Sequence, residues 1–307
     1  MDEFCAFIAK SGAAQFVMIN RILVCLDKST YTDSTTDYAC WLAKHHNAML
    51  EGLVVLDSEG IERSVGAVPL GAMRFAKTSI AAKEEKAHAM MEDLLKTFSA
   101  RCEKAGVEHT EFEMQGAPAD EILKESNFFD CVGIGMRTFF THGTGAGDDE
   151  EYGSADDIAG DSLEEIMDQS LAPVFAVPLG WQPDDELDAL IALNRSDHSM
   201  RALRQFARLY SGSKVNVTLM HCSNGGENHM ELLTKSQAFL RAHGFANVEA
   251  RTECGDVRQV LDDAYCEPFD LVVLGAHGKN GVVEIFTGSL CKDFIGRANK
   301  PLLIANG

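Results

Sequence analysis

Short apolar runs alternate along the chain with longer stretches in which apolar side chains recur every three or four positions. This is the signature of buried strands interleaved with amphipathic helices. In the second half it predicts strand 187–194, helix 197–211, strand 214–222, helix 229–243, strand 247–252, helix 256–266, strand 270–275, helix 289–298 and strand 301–305. Arg21-Ile-Leu-Val-Cys-Leu-Asp27 and Leu187-Asp-Ala-Leu-Ile-Ala-Leu-Asn194 each lead into helix-capping residues and then a helical pattern, so they read as two first strands. Alternation of this kind calls for an open, mainly parallel sheet covered on both faces. Ligands of such sheets sit beyond the carboxyl ends of the strands, where the strand order switches.

The same pattern occurs twice. Gln115-Gly-Ala-Pro-Ala-Asp-Glu-Ile-Leu followed by Phe129-Asp-Cys-Val-Gly-Ile-Gly135 matches Glu253-Cys-Gly-Asp-Val-Arg-Gln-Val-Leu followed by Phe269-Asp-Leu-Val-Val-Leu-Gly275. Gly160 to Val177 matches Gly288 to Ala305, each with a proline thirteen residues after its glycine. Conserved order and spacing between the two copies imply an internal duplication, with units over 1–180 and 187–307 joined by Gly180-Trp-Gln-Pro-Asp-Asp-Glu186. The first copy carries an insertion around Ser58 to Glu85, before a helix whose Ala87, Met91, Leu94, Leu95, Phe98 and Cys102 form a core-facing stripe. It also carries a longer loop after Gly135, rich in acid from Asp148 to Asp157, which reads as a solvated segment.

Composition narrows the partners. The chain has 307 residues, 46% hydrophobic and 24% charged, which is globular usage. Its 47 acidic side chains against 27 basic ones give a formal charge of -20, a field that repels phosphate backbones and anionic lipid. Neither nucleic acid nor a membrane is expected as a partner. Nine cysteines without a CxxC pair read as reduced thiols in a cytoplasmic protein, and no local feature singles one out as reactive. The start, MDEFCAFIAK, carries acids where a secretory signal would be basic, and no apolar stretch approaches the ~18 residues of a membrane helix.

The sharpest local feature is Leu271-Val-Val-Leu-Gly-Ala-His-Gly-Lys-Asn-Gly-Val-Val-Glu-Ile-Phe-Thr-Gly-Ser289. It leaves a strand, turns on Gly275 and Gly278, and reaches Gly288-Ser289 at a helix start. Glycines let backbone amides approach anionic oxygens, and a helix amino terminus adds partial positive charge. Ser289 offers a hydroxyl and Lys279 a cation at the rim. Glycines also serve ordinary turns, so the loop by itself leaves both readings open.

The spacing Gly275-x2-Gly278-x9-Gly288-Ser289, with Asn299-Lys-Pro-Leu-Leu-Ile304 at the end, resembles the ATP-binding branch of the universal stress protein family. The resemblance spans about 20–180 and 187–307, as in tandem members with two family domains in one chain. It implies an α/β fold of two tandem open, mainly parallel five-stranded sheets with helices on both faces, Rossmann-like and of the adenine nucleotide alpha-hydrolase-like type. Carried over, the nucleotide contacts fall on Asn194, His221, Cys222, Gly275, His277, Gly278, Gly288, Ser289 and Leu290. Asn194 departs from the family acid; its amide oxygen is expected to accept from a ribose hydroxyl without the help of a charge. In the first half Asp27 occupies the acid position and Val55 marks the adenine-side strand end. There the phosphate loop is degenerate: Gly135 is followed by Thr138 in place of the second glycine, and Gly160 by Asp161 in place of serine.

Other chemistry is weakly supported. His277 contributes backbone in the family pattern, His45 and His46 read as solvated surface, and His221 and His229 lack the ligand spacing of a metal site. No GxSxG, Walker A or Ser/His/Asp context supports a hydrolase or kinase. The expected function is a stress-response regulator that binds ATP, with or without Mg2+, in its second half and signals to a regulatory protein through conformation or partner choice. The alternative is a nucleotide-independent scaffold, or a carrier of a small apolar ligand in the first-half pocket. An enzyme is not expected. The terminal strands Val174–Val177 and Leu302–Ala305 are expected to pair the halves as an internal pseudo-dimer, leaving a further homodimer open.

Overall fold

The structure, a computed structural model, describes residues 19–66, 69, 71–136, 161–182, 184, 186–223, 229–255, 257–265, 268–275 and 299–305. The first half runs β1 (Arg21–Cys25), α1 (Tyr31–His46), β2 (Met49–Leu56), α2 (Ser58–Ser64), α3 (Met73–Ala105), β3 (His109–Gln115), α4 (Pro118–Ser126), β4 (Cys131–Gly135), α5 (Asp161–Gln169) and β5 (Val174–Val177). The second runs β6 (Leu187–Ala192), α6 (Asp197–Leu209), β7 (Val215–Ser223), α7 (His229–Ala242), β8 (Val248–Cys254), α8 (Val257–Tyr265), β9 (Leu271–Gly275) and β10 (Leu302–Ala305). The strands and helices read from the pattern lie within a residue or two of these. The expected helix 289–298 lies outside the described residues.

Burial explains which runs become which strands. β4 and β9 are buried at every position, as strands covered by helices on both faces must be. β3, at one edge of the sheet, is half exposed, and its sequence His-Thr-Glu-Phe-Glu-Met-Gln alternates accordingly. The insertion becomes α2 and the start of α3, and the predicted stripe on α3 faces inward: Ala87, Met91, Phe98 and Cys102 are buried, with Leu94 and Leu95 packed against them. The helix openers of both copies rest on the same backbone device, since Gly116 and Gly255 take φ of 154° and 140°, which favours glycine before α4 and α8.

Among the described residues, ten strands form one sheet, in the order β3-β2-β1-β4-β5-β10-β9-β6-β7-β8. Neighbours within each half are parallel. β5 and β10 meet antiparallel, pairing Ala176 with Leu302, Phe175 with Leu303 and Val174 with Ile304. The two five-stranded halves thus join through their terminal strands, as the apolar pattern of those strands leads one to expect, because each half ends in a buried apolar strand whose open edge another strand satisfies. The order reads the same from either edge. In the alignment of Gly160 with Gly288, Phe175 faces its own counterpart Leu303, so this register is symmetric about that pair. One consequence governs function: the carboxyl ends of β1–β5 open at one end of the sheet and those of β6–β10 at the other.

The core consists of two buried clusters, and each contains residues from both halves. A seam of aromatic rings crosses between the halves. Tyr38 packs against Trp41, Phe175 and Trp181 at centroid distances of 5.8, 4.9 and 4.6 Å, and Trp41 reaches Tyr210 at 6.1 Å. The hydroxyls of Tyr38 and Tyr210 hydrogen-bond to each other, and burial raises both phenol pKa values, so the pair stays uncharged. Arg208 forms an ion pair with Asp130 across the same boundary. His45 is exposed, as expected, and His46 is half-buried, yet both reach the other half of the chain. Their Nε2 atoms donate to the carbonyls of Ser211 (2.8 Å) and Leu209 (2.6 Å), because the end of α1 abuts the end of α6, where carbonyls lack intrahelical donors. That neighbour is distant in sequence and invisible from it.

Candidate functional site

In the second half, β6 lies between β9 and β7 while the chain runs β6, β7, β8 and only then β9. The strand order thus switches between β6 and β9, and ligands of such sheets sit beyond the carboxyl ends of the strands at this switch. Asn194 follows β6, His221 and Cys222 end β7, and Gly275 ends β9. The fold brings these four expected residues to one end of the sheet. His277, Gly278, Gly288, Ser289 and Leu290, and with them Lys279, lie outside the described residues.

Asn194 is held by the turn that opens α6. Its Oδ1 accepts from both the backbone N–H (2.9 Å) and the hydroxyl of Ser196, and its own N–H donates to Ser199 Oγ at 2.9 Å. Ser196 is the N-cap of α6 and accepts from the Ser199 N–H at 3.2 Å. An amide oxygen has two lone pairs, so the oxygen expected to meet a ribose is already saturated in this conformation. The remaining polar group of the side chain, its amide NH2, is a donor.

His221 is buried, with 5% exposure. Its Nδ1 lies 2.8 Å from the Leu193 carbonyl, which can only accept, so Nδ1 carries the proton. The bond ties the end of β7 to the residue before Asn194. The Cys222 thiol donates to the Gly255 carbonyl at 3.3 Å and links β7 to the turn before α8. Gly275 has a packing role of its own: a Cβ there would lie 2.5 Å from Ser199 N and 2.6 Å from His198 C. The end of β9 and the first turn of α6 approach as closely as backbones allow.

The first half repeats this construction with a carboxylate. Asp27 is fully buried, and its Oδ1 accepts from the Ser29 N–H (3.2 Å), the Ser29 hydroxyl (2.7 Å) and the Thr32 hydroxyl (2.6 Å). Asp27-x-Ser29-x2-Thr32 and Asn194-x-Ser196-x2-Ser199 are one motif, legible in the sequence as an acid or amide followed by hydroxyls at the second and fifth positions. These four hydroxyl residues are the site residues that inspection of glycines and strand ends overlooks. Val55 is buried near the end of β2, and Gly135 ends β4. Thr138 and Gly160 lie outside the described residues, and Asp161 opens α5.

Residues 18–132 match the universal stress protein family. The whole chain is similar in fold to a universal stress protein from Archaeoglobus fulgidus DSM 4304, with 17% identity, 94% of this chain and 97% of that one covered, and a TM-score of 0.65. It is also similar to a functionally unknown protein from Pseudomonas aeruginosa PAO1, at 12% identity, 94% and 92% coverage and a TM-score of 0.51. Identities this low speak to the fold alone. No curated protein matches the chain.

Among the described residues, no group of three or more His, Cys, Asp or Glu side chains is arranged to hold a metal ion, and no helix is long and apolar enough to cross a membrane.

Proposed function

We propose that this chain is a tandem universal stress protein, with family domains over 1–180 and 187–307 paired as an internal pseudo-dimer, that binds one ATP in its second half. The observation that carries the reading is the gathering of Asn194, His221, Cys222 and Gly275 at the carboxyl ends of three adjacent parallel strands, at the switch in strand order. Asn194, His221 and Cys222 would hold the nucleoside. The loop from Gly275 through Gly278 to Gly288, Ser289 and Leu290 has the composition to wrap phosphates with backbone amides, with or without Mg2+. Binding then acts through conformation or through choice of a regulatory protein partner in a cytoplasmic stress response. Rapid phosphoryl transfer needs an oriented nucleophile and a cation to meet developing charge. Asn194 at neutral pH is no base, so ATP serves as a ligand and its hydrolysis is slow.

The test is a titration with ATP, ADP and AMP, with and without magnesium, joined to a phosphate-release assay. One site per chain, lost in Gly278→Val with the fold retained, is the expected result; two sites, or unaltered binding in that variant, defeats the assignment. Robust turnover that disappears in Ser289→Ala would make the protein an ATPase. A second reading, a nucleotide-independent scaffold or carrier of a small apolar ligand, draws on the full enclosure of Asp27, which leaves the first-half carboxylate committed to Ser29 and Thr32. Absence of any nucleotide binding would favour it.

A further inference from the structure

We propose that Cys40 and Cys102 form a reversible dithiol–disulfide site, oxidised by hydroperoxides, that locks α1 to α3 in the first half. The two sulfurs lie 3.9 Å apart on different helices and come from positions 62 residues apart in sequence. Their setting holds them face to face. One guanidinium, that of Arg101 beside Cys102, reaches across to Asp37 at 2.9 Å and to Asp33, both on α1, so the two helices are clamped in register next to the sulfurs. A disulfide bond is ~2.05 Å long. Rotation of the two side chains with a small approach of the helices therefore closes the gap.

The partners are unequal, and this assigns their roles. Cys102 is fully enclosed, whereas Cys40 retains slight exposure at 4%. The hydrogen bond with Cys102 pulls the Cys40 thiol below its ordinary pKa against the opposing effects of burial and of the Asp37 charge, with smaller help from Lys44 and Arg101. The same bond and burial push Cys102 upward. Cys25 and Cys131, buried in β1 and β4, are also pushed up, by desolvation, and so stay inert. In the oxidation, Cys40 Sγ attacks the hydroperoxide; an S–O bond forms, the O–O bond breaks, and the alcohol (water, for hydrogen peroxide) leaves with the thiol proton. Cys102 Sγ then attacks the sulfenic sulfur; the S–S bond forms, the S–O bond breaks, and hydroxide departs with the second thiol proton as water. The two thiols lose two electrons and the peroxide gains them.

The experiment treats the full native chain with hydrogen peroxide, blocks remaining thiols, digests without reduction and maps the peptides. Exposed Cys254 reports that the oxidant has acted. The expected result is a Cys40–Cys102 linked peptide in the wild type and in Cys254→Ser, absent from Cys40→Ser, and returned to two free thiols by dithiothreitol. The cross-linked chain should also melt at higher temperature, because the bridge restricts the unfolded state. The proposal is overturned if Cys254 is fully oxidised while Cys40 and Cys102 are both recovered as thiols. Sulfinic acid without a link, or a link from either sulfur to another cysteine, overturns it equally. Mapping of the wild type stands on its own if Cys40→Ser fails to fold.

Discussion

Replacing Gly275 by alanine separates a packing role from a ligand role, because its cost can be measured with no nucleotide present. The residue takes no left-handed backbone conformation, so alanine introduces no dihedral strain. Its Cβ, however, would meet main chain: Ser199 N at 2.5 Å, His198 C at 2.6 Å and His198 O at 2.8 Å. Favourable contacts of carbon with heavy atoms begin at ~3.5 Å, so the first turn of α6 must recede by about 1 Å. Overpacking of this kind costs about 1–3 kcal/mol. Loss of glycine's freedom in the unfolded chain offsets about 0.4–1 kcal/mol. The net expectation is a destabilisation of roughly 1–2 kcal/mol, seen as a lower midpoint in equilibrium urea unfolding with an unchanged slope. A midpoint equal to or above that of the wild type would refute the backbone contact. The same displacement pulls Ser199 from the Asn194 N–H, so nucleotide affinity should fall beyond what the loss of a phosphate contact alone would cause.

Three further outcomes are expected. Tyr210→Phe strands the buried Tyr38 hydroxyl and should cost about 1–3 kcal/mol, whereas the double change with Tyr38→Phe should recover much of it, as a double-mutant cycle would register. Asp27→Ala orphans the buried N–H and hydroxyl of Ser29, whereas Thr32 keeps the main-chain carbonyl of residue 27, and should cost about 1–3 kcal/mol, while Asp27→Asn, which keeps an acceptor oxygen as Asn194 does, should cost clearly less by thermal unfolding. His46 sits below its ordinary pKa, chiefly through burial, so the unfolded chain binds its proton more readily than the folded one. Its contribution is then fully present above about pH 6.5 and is lost as pH falls from there through the depressed folded value. His46→Gln should flatten the stability profile across that window; an unchanged profile would exclude His46 as the source.

Periodicity by itself determined the element order, because burial on both faces of a parallel strand demands continuous apolar runs and helices demand a stripe. It placed β6 through β9 and the inward face of α3 within a residue or two, and the family resemblance placed Asn194, His221, Cys222 and Gly275 at strand ends. Those readings rest on local interactions, which adjacent residues encode. Tertiary structure alone decided what spans large separations. The pairing of the two terminal strands was expected from their apolar runs, but its antiparallel register, with Phe175 opposite Leu303, was fixed only by the closing of the sheet. His45, His46 and Tyr38 gained partners more than 160 positions away at the end of α6. Ser196 occupies Asn194 Oδ1 with both its N–H and its hydroxyl, and the contact of Cys40 with Cys102 distinguishes one pair among the six described cysteines. A residue's type and spacing reveal what it can bond; which partner it meets depends on the closing of the chain around it.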